Sequence, residues 1–296
     1  MRHDVEFSSE GVTCRGWLYR PETEGPAPTI VMAHGFSAVK EMRLDRFAEA
    51  FAAVGLASLV FDYRGFGASD GPVRQDIDPQ GQITDYRNAI SYARSLAEVD
   101  GERLGVWGSS YSGGHALMVA ALDRRVKAVV AQVPLIDAWD SLADMMGVEV
   151  RDAMVQQLIA ERERVYAGGE PMMMPVVAEG GGAAALPGDE AWQWFSQMAP
   201  LAPSWRNEIT LLSMQRLLEY SPLRFIDRIA PTPLLLIVAE RDFLPLEVAL
   251  RAFDRAGEPK KLIRLDAGHF APYEPPHFDT AAGEAAAWFL EHLKER

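Results

Sequence analysis

The chain has one cysteine, Cys14, in 296 residues. A single thiol excludes an intrachain disulfide and a cysteine-built metal site, and it fits a reducing compartment. Positive charge is also scarce: 29 Lys and Arg against 42 Asp and Glu give a formal net charge of −13. Nucleic-acid binding needs a cationic face for phosphates, so that function class is set aside and the charge reads as solubility. No run approaches the ~18 uninterrupted apolar residues of a membrane span. The opening MRHDVEFSSEGV lacks the apolar centre of a signal peptide. A cytoplasmic protein without membrane contact is the expectation.

Hydrophobic residues make up 48% and charged residues 24%, enough core material for one large domain or a domain with an insertion. HDVEF and VTCRGWLY alternate in polarity around SSEG and predict a hairpin. PTIVMAHG, LASLVFDYRG, RLGVWG and VKAVVAQVP are continuous apolar runs, as in strands buried on both faces. Between them RLDRFAEAFAAVG, ITDYRNAISYARSL and GGHALMVAALD carry helical spacing. This alternation predicts an α/β fold with a mainly parallel sheet. It stops after Pro134. DAWDSLADMMGVEVRDAMVQQLIAERERVY and QRLLEYSPLRF are helix candidates, separated by the loop-like PMMMPVVAEGGGAAALPGD. The rhythm resumes with PLLLIVAE, LEVALRAFDRAG, KKLIRLD and AAGEAAAWFLEHLKE. The expected organisation is a core of residues 1–134 and 226–296, interrupted by a helical cap at 135–225.

The stretch VWGSSYSGGHAL passes from strand to helix through three serines. So sharp a reversal crowds the backbone and favours small residues two before and two after its apex. Aligned on the strand end at Gly108, the apex is Ser110 and the later flank is Ser112. Ser112 is a rival apex, flanked by Ser110 and Gly114, but it needs a longer strand. Ser109 would have the bulky Trp107 as its flank.

A serine nucleophile needs a base oriented by a carboxylate. Asp242 follows the run PLLLIVAE and His269 follows KKLIRLD, both at carboxyl ends of strands, where sites form in open α/β sheets. Glu240 is the rival acid, and His277 a weaker alternative base. His34 reads as a loop-shaping residue and His115 as a buried helical one. The amides of Tyr111, after the nucleophile, and Phe36, in the His34–Ser37 loop, are the expected oxyanion donors.

The segments AHGFS, VFDYRGFGASDG, GSSYSGGH, AERDFLP and DAGHF resemble the α/β-hydrolase superfamily. They look like its branch of dienelactone-hydrolase-like, serine aminopeptidase-like and carboxylesterase enzymes. The resemblance implies an eight-stranded, mostly parallel sheet, a Ser110–His269–Asp242 triad and a lid after the sixth strand. Ser112 departs from the usual glycine, and Cys14 is not at the turn, so dienelactone hydrolysis proper is excluded. The expected activity is carboxylic ester hydrolysis through an acyl-enzyme, without metal or organic cofactor, on a small-molecule ester. Thioester hydrolysis, acyl transfer and carbon–carbon bond hydrolysis use the same residues. A catalytically silent binding module is a further alternative, against which the intact triad argues. A homodimer is left open. Eight of the twelve methionines and four of the seven tryptophans fall within 136–225. Either they line an apolar pocket, with Trp139, Met145 and Trp192 as candidates, or they form the cap's own core.

Overall fold

The apolar runs at both ends of the chain pair into a single sheet. The computed structural model describes residues 1–294. The first part runs β1 (Arg2–Ser9), β2 (Val12–Tyr19), β3 (Ala27–Ala33), α1 (Leu44–Ala53) and β4 (Ala57–Phe61). It continues through α2 (Pro79–Ser95), β5 (Val99–Ser109), α3 (Tyr111–Leu122) and β6 (Val126–Gln132). The insertion holds α4 (Ala138–Met146), α5 (Val148–Tyr166), β7 (Met173–Met174), α6 (Gly188–Met198), β8 (Ile209–Thr210) and α7 (Leu211–Leu218). The last part is β9 (Leu234–Ala239), α8 (Leu246–Arg255), β10 (Lys260–Leu265) and α9 (His277–His292).

Eight strands form the main sheet in the order β1-β2-β4-β3-β5-β6-β9-β10. Only β2 runs against the others, pairing antiparallel with both β1 and β4. Every residue of β4 and β9 is buried, as expected where helices cover both faces. The glycines of β5 show which helix covers which face. A side chain at Gly105 would meet Phe289 of α9, 2.6 Å away, whereas one at Gly108 would meet the Ser112 carbonyl oxygen of α3, 2.1 Å away. Three residues apart on a strand, these positions face opposite ways. α9 and its neighbour α1 therefore lie on one side, α3 and its neighbour α2 on the other.

Between β6 and β9 the described chain adds no strand to the main sheet; β7 and β8 pair only with each other. The single helix expected from Asp137 to Tyr166 is two, because Gly147 at φ 86° and ψ 151° leaves helical geometry. Sequence reading also passed over α6. Its buried Ala191, Trp194, Phe195 and Met198 follow the i, i+3, i+4, i+7 spacing of an amphipathic helix. No helix is long and apolar enough to cross a membrane among the described residues.

The contrast between Gly108 and Gly283 predicts opposite responses to the same substitution. Gly108→Ala forces β5 and α3 apart and should cost roughly 3 kcal/mol or more. Gly283, exposed on α9 with no atom within 4 Å of an added Cβ, should gain about 0.5–1 kcal/mol as Gly283→Ala. Thermal denaturation of the two variants checks both signs.

Candidate active site

Ser110 sits at the break between β5 and α3 with φ 59° and ψ −123°. Such a conformation costs a non-glycine residue about 1–3 kcal/mol and persists only where its surroundings enforce it. Here its N–H donates to the Gln132 carbonyl (2.8 Å), and its carbonyl accepts from Leu135 (3.0 Å) and Gly114 (3.3 Å). The neighbouring serines are engaged elsewhere. Ser109 Oγ, fully buried, accepts from the Tyr273 hydroxyl (2.7 Å) and from Gln132 Nε2 (3.1 Å). Ser112 Oγ pairs with the Tyr63 hydroxyl at 2.9 Å. Only Ser110 reaches His269: its Oγ lies 2.9 Å from Nε2.

The other imidazole nitrogen, Nδ1, lies 2.8 Å from Asp242 Oδ1. A carboxylate can only accept, so Nδ1 carries the proton and Nε2 presents its lone pair to the Ser110 hydroxyl. Asp242 Oδ1 also accepts from the Leu244 N–H at 2.8 Å, which fixes the carboxylate. Backbone bonds from Arg241 to Ala267 (2.9 Å) and from Glu240 to Leu265 (2.8 Å) tie the acid loop to the histidine loop. The side chains are dry, 1% exposed for His269 and 6% for Asp242. Phe243 (4.3 Å) and Phe270 (5.0 Å) pack against the imidazole ring. Glu240, the rival acid, instead accepts from Arg264 Nε at 2.8 Å near the surface.

Burial disfavours the charged form of the two other fully buried histidines. Burial pushes His115 down to about 3, with Nδ1 at the Tyr220 hydroxyl (2.7 Å) and Nε2 at Gln82 Oε1 (3.2 Å). Burial likewise lowers His34. Its Nδ1 donates to the Gly35 carbonyl (3.0 Å) and its Nε2 accepts from the Tyr63 N–H (3.3 Å), which shapes the loop beside the site. His277 begins α9 and takes no part in the hydrogen bonds joining Ser110, His269 and Asp242.

That loop lies against the turn: a side chain at Gly35 would come within 3.4 Å of Ser110 Cβ. Phe36 and Tyr111 share a wall with Ser110, and neither backbone amide donates to another group among the described residues. Two apolar compartments open from Ser110, and Phe36, Leu186 and Phe243 border both. One is walled by Met42, Leu44, Trp194 and Phe270. The other is walled by Leu135, Leu142, Met145 and Leu217. Among the described residues on these walls, His34 and His269 are the only ionisable basic groups, and none is a carboxylate.

Of the three pocket candidates, only Met145 lies on a wall. Trp139 is a correction: it is 42% exposed, and the Arg151 guanidinium stacks 3.9 Å from its ring centroid. Trp192 is a second correction, half-buried and outside both compartments. Two positions on, about 200° around the helix, Trp194 lines the site and stacks on Phe270 at 4.9 Å. Without α6, its helical phase could not be assigned. Phe243 and Leu186 were also missed, although Phe243 directly follows the acid.

A fold and site of this form define an α/β-hydrolase, and the chain belongs to that superfamily. Within it, residues 10–212 match the family described as X-Pro dipeptidyl-peptidase (S15 family). The chain is 36% identical over 291 residues to the quorum-quenching protein AidA of Acinetobacter baumannii, covering 95% of this chain and 90% of that protein. It is 34% identical to the thiohydrolase aneE of Aspergillus aculeatus, covering 88% and 83%. Among solved structures, the α/β hydrolase GrgF of Penicillium sp. superposes with TM-score 0.86 at 29% identity, covering 99% of both chains. DcsB, solved in complex with a substrate analogue, superposes with TM-score 0.88 at 30% identity over the full length of both chains. The protein is thus an enzyme of the hydrolase class.

The hydrogen-bonding partners of the two acids predict unequal losses. Asp242→Asn preserves shape but permits the wrong imidazole tautomer, and turnover should fall by roughly 10³–10⁴. Glu240→Gln should cost less than about tenfold, a barrier change below ~1.4 kcal/mol. Turnover of one activated ester by both variants, with circular dichroism as the folding control, checks the assignment.

Proposed function

We propose that the protein is a serine hydrolase of carboxylic esters that works through an acyl-enzyme. Ser110 Oγ attacks the ester carbonyl as His269 Nε2 takes its proton. The imidazolium is stabilised by Asp242, and the developing oxyanion by the amides of Phe36 and Tyr111. Collapse breaks the ester bond, and His269 returns the proton to the departing alcohol. Water then enters, gives a proton to His269 and attacks the acyl carbon. The acid leaves as Ser110 recovers its proton. The observation carrying this reading is the meeting of two uncharged compartments at the one serine bonded to a carboxylate-oriented imidazole.

Those walls favour apolar groups on both sides of the scissile bond. They argue against a dipeptide substrate, whose N-terminal ammonium would be desolvated there without a carboxylate partner. The residues 135–225 act as the cap, with Met145 in one wall and Trp194 in the other. A second reading has a specific support. Relatives include a thiohydrolase and the polyketide transferase grgF, 33% identical over 275 residues. A thioester would be attacked identically, and a second compartment could seat an alcohol that takes the acyl group in place of water.

The test is a matched series of p-nitrophenyl esters, the corresponding thioesters and Gly-Pro p-nitroanilide. Esters with medium-length acyl chains should be turned over at least ~10³-fold faster than the anilide. An anilide hydrolysed faster than every ester would overturn the ester reading, and thioesters faster than esters would favour the second. Met145→Trp should move the chain-length optimum to shorter esters, whereas Trp139→Ala on the surface should leave it in place.

A further inference from the structure

The turn carrying the Phe36 amide is held at its start by His34 Nδ1, which donates to the Gly35 carbonyl at 3.0 Å, but its Ser37 side is poorly held by the turn's own residues. Its closing bond, from the Ala38 N–H to the Gly35 carbonyl, is long at 3.3 Å. Ser37 within it adopts φ 52°, a left-handed conformation that disfavours any residue with a Cβ. The Ser37 hydroxyl is buried with no hydrogen-bond partner, so it braces nothing. Support comes instead from the insertion: the Trp205 indole N–H donates to the Ser37 carbonyl at 2.9 Å. Trp205 is itself fixed. Its backbone N–H bonds to Ala202 at 2.9 Å, and its ring stacks on Phe195 at 5.4 Å. Phe195 in turn meets Trp194 edge-on, and Trp194 stacks on Phe270 next to His269.

We propose that Trp205 is a positioning residue that holds the oxyanion loop in its working conformation through the Ser37 carbonyl. This rests on the proposed role of the Phe36 amide. Seating the insertion over the site and presenting that amide become one event. With the indole N–H removed, Ser37 can relax from its left-handed conformation, and the Phe36 peptide rotates with it. Oxyanion donors act only in the transition state, so the loss should fall on kcat and spare KM.

Trp205→Phe deletes the N–H and keeps an aromatic ring against Phe195. On one p-nitrophenyl ester, kcat should drop roughly tenfold, short of the ~10²–10³ lost when an oxyanion donor is removed outright. Affinity for a trifluoromethyl ketone, which forms a tetrahedral oxyanion on the serine, should drop by the same factor, with KM unchanged within about twofold. Should Trp205→Phe fail to fold, β-(3-benzothienyl)alanine incorporated at 205 keeps the ring shape and lacks only the N–H. A fluorophosphonate that labels Ser110, with kcat and ketone affinity unchanged in the variant, would overturn the inference alone. Failure to label Ser110 in the unsubstituted enzyme would overturn the reading of the site and this inference with it.

Discussion

Everything at the site depends on how closely β5 and α3 approach where they meet. The position of a side chain on Gly108 lies 2.1 Å from the Ser112 carbonyl oxygen. That closeness leaves the chain no relaxed way through Ser110, which takes φ 59° and ψ −123°. The strained apex places Oγ beyond the carboxyl ends of β9 and β10, within reach of the histidine loop. A looser junction would accept larger residues and let Ser110 relax. Its oxygen would then leave the line joining it to His269 and Asp242.

The second constraint is exclusion of water. A buried imidazole between Phe243 and Phe270 keeps its orientation, and its hydrogen bonds to Asp242 and Ser110 gain strength in low dielectric. Part of that enclosure comes from the insertion, through Trp194 and Leu186. The same segment grips the catalytic loops on two sides: Trp205 bonds to Ser37, and Glu190 accepts from the Phe270 N–H at 3.3 Å. Substrate walls and catalytic geometry are therefore not independent here. A change in the insertion that alters selectivity can also reach the oxyanion loop.

The core was legible because its signals are local. Buried strands read as unbroken apolar runs, and the turn at Ser110 is written in the small residues Gly108 and Ser112. Asp242 and His269 could be placed because each follows such a run within a few residues. The insertion was less legible. Gly147 divides α4 from α5 by its backbone conformation alone, and α6 lies behind a Gly- and Ala-rich stretch that masks its start. Since a helical face is defined by phase, missing α6 put Trp192 in the place that Trp194 holds. Trp139 misled for another reason: a large aromatic ring reads as buried, but a stacked Arg151 shields it at the surface. The Trp205–Ser37 bond joins residues 168 positions apart and leaves no trace in local pattern.

The central claim is that Ser110 carries the acyl group during turnover. Acid-quenching the enzyme within milliseconds of mixing with a p-nitrophenyl ester, followed by peptide mass mapping, tests it directly. The account predicts one acyl adduct, on Ser110, that forms with the burst of p-nitrophenol and is absent from Ser110→Ala. An adduct on Ser109 or Ser112, or full turnover by Ser110→Ala, would contradict it.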